Sequence, residues 1–170
     1  YCSRKLFLQK VLMLEEPPKE SLVMGSIRHK TYDSINKKEE EIAVSITKGM
    51  SFQDINELYK NKCLGMLRKV ILGNKKRLNE VDIEMFDAYE KSARFIAEEA
   101  NSRADNIFSF IQANKVYGEE LWQKLTPKII SELRIESDEL MLKGIVDQIY
   151  VYEDSYVPFE LKTGRTPQDG

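Results

Sequence analysis

Cysteine is scarce in this sequence. Cys2 and Cys63 are the two cysteines in 170 residues, too few for a disulfide scaffold. Five prolines and eight glycines exclude a collagen-like or low-complexity chain. No apolar run approaches the roughly 18–20 residues of a membrane span, and no signal-peptide pattern is visible, so the expected compartment is a reducing cytoplasm. An excess of one charge is missing as well. Twenty-six bases and 28 acids leave a net charge of −2, which argues against a protein that coats nucleic acid. A nuclease stays open, because catalytic carboxylates subtract positive charge. What is present is 42% apolar residues, enough for one domain with a real core.

The balanced total hides an asymmetry. Residues 1–77 hold 16 bases and 9 acids, and residues 78–170 hold 10 bases and 19 acids. A basic front half suits a polyanionic partner, and solvated helix faces are the alternative reading. The chain starts at Tyr1 and stops at Gly170 just after a strand-like segment, so it reads as a fragment.

Three blocks follow one another. In residues 1–41, Ser3 can cap a helix carrying Leu6, Phe7, Val11, Leu12 and Leu14, which Pro17-Pro18 would stop. A second helix is expected from Ser21 through Met24, Ile27, His29, Tyr32 and Ile35, ending in the charged stretch Lys37 to Glu41. Residues 42–127 read as helical throughout. Ser51 with Asp54 forms a capping signature, and Gly73-Asn74 closes the helix it opens. The next helix spaces its apolar residues by three and four from Ile83 through Phe86 to Ile111. A short one over Gly118 to Leu125 carries Trp122. Tyr32 and Tyr59 fall on apolar stripes, where core packing competes with base stacking. Cys63 reads as a small buried apolar residue.

Residues 128–170 change to a period of two. Strands are expected over 128–136, 140–152 and 156–163, the last two joined by a tight turn at Glu153-Asp154-Ser155. Both faces of this hairpin carry apolar residues, which implies a sheet covered on both sides by helices. If Asp154-Ser155 form a two-residue turn, paired residue numbers sum to 309. Asp147 then lies opposite Lys162, with Glu160 its diagonal neighbour on the same face. Two carboxylates on neighbouring strands offer hard oxygens to Mg²⁺ or Mn²⁺, and Lys162 beside them could offset charge on a phosphate. A surface ion pair is the alternative. Upstream, Gly25 and His29 lie four apart on one helix face in GSIRH. Gly25 would let that face approach the sheet or a DNA backbone closely, and His29 could add a nitrogen ligand.

GSIRH on an early helix, then GIVD (Gly144–Asp147), then ELKTG (Glu160–Gly164) on consecutive strands resembles the RecB-like branch of the PD-(D/E)xK nuclease superfamily. Within it the chain is most similar to the CRISPR-associated Cas-four exonucleases, whose cysteine-plus-basic start YCSRKLFL (Tyr1–Leu8) resembles. The resemblance implies an α/β (α+β) fold, a restriction-endonuclease-like core sheet with a large helical insertion and its C-terminal part missing. It implies a metal-dependent deoxyribonuclease acting on DNA, with single-stranded ends as substrate, in CRISPR spacer acquisition (antiviral defence) or DNA repair. His29, Asp147, Glu160 and the Leu161 carbonyl would hold Mg²⁺ or Mn²⁺. Lys162 would be the catalytic lysine, acting with Asp147 and Glu160, and Glu132 would be accessory. An edge-strand surface role is the alternative for Glu132. Cys2 would be one of four ligands to a [4Fe–4S] cluster in the full-length parent only. The family's other three cysteines and its Gln/Tyr-bearing helix lie beyond the lysine motif, so the fragment itself could be inactive. Arg4, Lys5 and Arg165 are candidates for DNA phosphates, with helix-surface charge as the alternative. CRISPR integrase proteins or a helicase are the implied protein partners, and no membrane is. The competing function is a non-catalytic DNA- or partner-binding helical module with a degenerate nuclease sheet.

Overall fold

The computed structural model describes residues 3–14 and 19–159, with backbone alone at Ser3, Lys5, Leu6 and Gln9. Helices α1 (Ser3–Lys10), α2 (Glu20–Val44), α3 (Phe52–Gly73), α4 (Lys75–Asn79), α5 (Met85–Asn114) and α6 (Gly118–Lys124) precede strands β1 (Lys128–Ser137), β2 (Leu142–Val151) and β3 (Tyr156–Phe159). The strands form one antiparallel sheet in the order β1-β2-β3. The fold is therefore mixed α+β. No helix among the described residues is long and apolar enough to cross a membrane.

The helical core is built from apolar stripes at the expected spacing. Ile27, Ile35 and Ile42 of α2, Ile55, Tyr59 and Leu67 of α3, and Ile96, Ala100 and Ile107 of α5 are buried together. Tyr32 is buried too, so both tyrosines on the stripes belong to the core, and burial pushes the Tyr32 hydroxyl up to about 12. Cys63 is buried in the same cluster, and burial pushes its thiol up to about 12. Because the thiolate is the nucleophile, Cys63 is expected to resist iodoacetamide in the native protein. It should alkylate once denaturant opens the core, as mass spectrometry of the labelled chain would show.

The start of α3 follows the sequence signature. Ser51 Oγ accepts from Asp54 N at 3.2 Å, and Ser51 N donates to Asp54 Oδ2 at 2.8 Å. Hydrogen bonds from the Ser51 side chain and backbone lower the Asp54 carboxyl. A lowered folded-state pKa means that this contribution is present above the unfolded value and lost as pH falls. Ser51→Ala should cost about 1 kcal/mol, read as a lower midpoint in urea unfolding at neutral pH.

Several elements depart from the sequence reading. α2 does not stop at the charged run but continues through it to Val44, so the boundary drawn at residue 41 falls inside a helix. Its charges are paired along the helix, Lys37 with Asp33 at 2.7 Å and Lys38 with Glu41. Ile42 and Ala43 carry the buried stripe onward. α1 ends at Lys10, and Phe7, Val11, Leu12 and Leu14 are exposed. Ser3 is the first residue of α1 rather than a cap before it. α4 is an added turn directly after Asn74, whose side chain donates to Val70 O at 2.7 Å. Ile83 precedes α5, and Phe86 is exposed.

The sheet is not covered on both faces among the described residues. α2 packs on β1 near Ile129 and Ser131. At the far end Ile135, Leu142, Ile145, Tyr156 and Phe159 are exposed. The β2–β3 turn also sits one residue earlier than expected. Val151 pairs with Tyr156 and Gln148 with Phe159, so paired numbers sum to 307 rather than 309. Tyr152 N donates to Ser155 O at 2.9 Å, which makes Glu153-Asp154 the two-residue turn. The parity stays odd, as expected, and parity decides which residues share a face.

Candidate metal centre

His29 lies on α2, Glu132 on β1 and Asp147 on β2. Each offers one ligand-type atom, and these three atoms lie within 4.8 Å of one another. His29 reaches the sheet because α2 crosses β1 there. Its Nδ1 is in hydrogen-bonding contact with Glu132 Oε1. A carboxylate only accepts, so Nδ1–H is the donor in that contact, and Nε2 is the second ring nitrogen. The His29 side chain is 52% exposed and that of Glu132 13% exposed, so one side of the cluster is open and the other enclosed.

The backbone at Glu132 is unusual. The ladder pairs Ser131 with Gln148 and Leu133 with Val146, and between them Glu132 takes φ +57°. A non-glycine residue in the left-handed region inside a strand costs about 1–3 kcal/mol. The register is the same on both sides of this residue, the paired numbers summing to 279. Glu132 stands on β1, at one edge of the described sheet, with its side chain half-buried against His29.

Beside the cluster lies a buried charge network. Arg103 of α5 is 0% exposed. Its guanidinium donates to Glu99 Oε1 at 2.6 Å, to Glu39 Oε2, to Asn36 Oδ1 at 3.0 Å and to Ser131 Oγ at 3.0 Å. Glu99 in turn accepts from Gln148 Nε2 at 3.0 Å, and Asn36 Nδ2 donates to Ser131 O at 2.5 Å. Burial raises the Glu39 carboxyl against the lowering effect of Arg103. Burial alone would lower Arg103, but the carboxylates of Glu39 and Glu99 outweigh it and hold the guanidinium above its ordinary value. Nothing in the sequence reading singled out this network. A signal was there: Glu99 and Arg103 sit four apart on the apolar stripe of α5, and Glu39 sits between Ile35 and Ile42 on that of α2.

Of the residues singled out from sequence, His29, Glu132 and Asp147 are brought together. Cys2, Glu160, Leu161, Lys162 and Arg165 lie outside the described residues. Arg4 is exposed on α1, and Lys5 is described only by its place in that helix. The expected close approach at Gly25 is not seen, since a Cβ built there meets nothing within 4 Å among the described atoms. Trp122, unplaced by sequence, packs against the core edge with Lys128 Nζ 4.7 Å from its ring centre. No protein-family model, no curated protein and no solved structure matches the chain.

Proposed function

We propose that the chain is part of a metal-dependent deoxyribonuclease of the RecB-like kind, an exonuclease working from DNA ends on a restriction-endonuclease-like core sheet. One observation carries this reading. His29, Glu132 and Asp147, more than a hundred residues apart at the extremes, put ligand-type atoms within 4.8 Å of one another. One imidazole nitrogen and two carboxylates fit a divalent ion, and the nitrogen favours Mn²⁺ over Mg²⁺. Such an ion, when bound, polarises a phosphoryl oxygen and lowers the pKa of water.

The chain's own residues have defined tasks in this reading. Glu132 Oε1 holds the His29 ring through Nδ1, and each of the two residues would offer one ligand atom to the ion. Asp147 supplies carboxylate charge from the central strand of the sheet. Glu160 and Lys162 come just after β3 in the sequence, outside the described residues. An odd register is the parity under which Glu160 and Lys162 share a face with Asp147, and the β2–β3 pairing from Gln148 to Val151 is odd. Lys162 would neutralise charge that develops on the phosphate. The basic front half of the sequence supplies attraction for the DNA backbone.

The test is degradation of linear and circular single-stranded DNA with Mn²⁺ present. The expected result is release of nucleotides from the linear strand and an intact circle. Cleavage of the circle would replace the exonuclease by an endonuclease. Metal-independent DNA affinity without cleavage would favour the helical binding module.

A further inference from the structure

We infer that the buried Arg103–Glu39–Glu99 network is a positioning device for the candidate metal centre. This rests on the metal-binding reading of His29, Glu132 and Asp147. Ser131 directly precedes Glu132, Gln148 directly follows Asp147, and the two are cross-strand partners. Both are held by the network. Arg103 donates to Ser131 Oγ at 3.0 Å and Gln148 donates to Glu99 at 3.0 Å. Asn36 adds a bond to the Ser131 carbonyl at 2.5 Å. Asn36 is also seven residues from His29, two turns along the same face of α2. The network therefore ties together all three elements that supply the cluster: α2 through Asn36 and Glu39, β1 through Ser131, and β2 through Gln148.

The physical argument is one of leverage. Glu132 is in the left-handed region, and such a conformation persists only where its surroundings over-determine it. The rung formed by Ser131 and Gln148 is the fixed point next to it. Both side chains of that rung are buried and hydrogen-bonded to charged groups, which are stronger and more directional partners than neutral ones. An apolar contact could bury the same rung but would leave it free to shift by the fraction of an ångström that loosens a ligand set. Arg103, Glu99, Ser131 and Gln148 are thus positioning residues rather than ligands.

The experiment uses the full chain, with Mn²⁺ as the probe. Mn²⁺ affinity is measured by titration calorimetry, and the symmetry of bound Mn²⁺ by its electron paramagnetic resonance line. Gln148→Met and Ser131→Ala are compared with Ile107→Val, an apolar core change on α5 that leaves every hydrogen-bonding group of the network in place. All are studied at a temperature where circular dichroism shows them folded. The network account expects affinity to fall about 10-fold or more in Gln148→Met, in the range for outer partners of metal ligands. It expects a broadened Mn²⁺ line there, a smaller loss in Ser131→Ala, and no change in Ile107→Val. Wild-type-like affinity and line shape in both strand variants would overturn the positioning role and leave the metal site standing. If the unmutated chain fails to bind Mn²⁺, the metal reading fails and takes this inference with it. Ser131→Ala keeps the test decisive should Gln148→Met not fold.

Discussion

Arg103→Met is expected to destabilise the protein by about 3–5 kcal/mol, the range for removing one partner of a buried ion pair. Arg103 is fully buried, and its two carboxylate partners are buried with it. Methionine fills similar volume but leaves two carboxylates facing each other without a cation. For a chain of this length such a loss lowers the melting temperature by about 10 °C. The effect depends on pH with a definite sign. The Glu39 carboxyl is already raised in the folded protein, by burial. A raised folded-state pKa means that protonation favours the fold: the contribution is complete below the unfolded value and is lost as pH rises through the folded one. Without Arg103 to hold it down, Glu39 rises further. The cost of Arg103→Met should therefore be smaller near about pH 5 than near about pH 8. Calorimetric melting at both values checks this, and equal losses at both would show that the charge network is not the cause.

Asp147→Ala is expected to reduce Mn²⁺-dependent degradation of linear single-stranded DNA by more than about 100-fold, since even outer partners of metal ligands cost 10–100-fold. The substitution removes one of the two carboxylates whose atoms cluster with His29. A general loss of folding is separable from a loss of the site. A ligand that binds the folded state at about 100 times its dissociation constant adds about 2.7 kcal/mol to stability. Mn²⁺ should therefore raise the melting temperature of the unmutated chain and raise that of Asp147→Ala by half as much or less. A variant that keeps both activity and the Mn²⁺ shift would remove Asp147 from the site.

Much of the helical scaffold was legible because it rests on local chemistry. The Ser51–Asp54 pair opens α3 where the capping pattern puts it. Gly73-Asn74 closes that helix, and the step of three and four on α5 marks its buried side. The change to period two after residue 127 marks the strands. What was misread depends on contacts between distant segments. Lys37 to Glu41 looks like a solvated helix end, and it stays helical because Glu39 turns inward to Arg103, 64 residues away. The turn of the hairpin moved by one residue because Glu153-Asp154 supply the reversal. That shifts the pairing by two and keeps its parity odd from Gln148 to Val151. The conformation of Glu132 has no sequence signature at all, because neither its neighbours nor its own type favour the left-handed region. The cluster itself was half legible. The spacing in GSIRH and GIVD nominated His29 and Asp147, while the enclosure of Glu132 against His29 follows from how α2 crosses β1.

The most direct test of the metal centre is a Mn²⁺ titration of the full chain beside its His29→Ala and Asp147→Ala variants. The account predicts one saturable site in the unmutated chain, weakened at least about 10-fold by either substitution. No saturable binding, or binding that both variants retain unchanged, would contradict it.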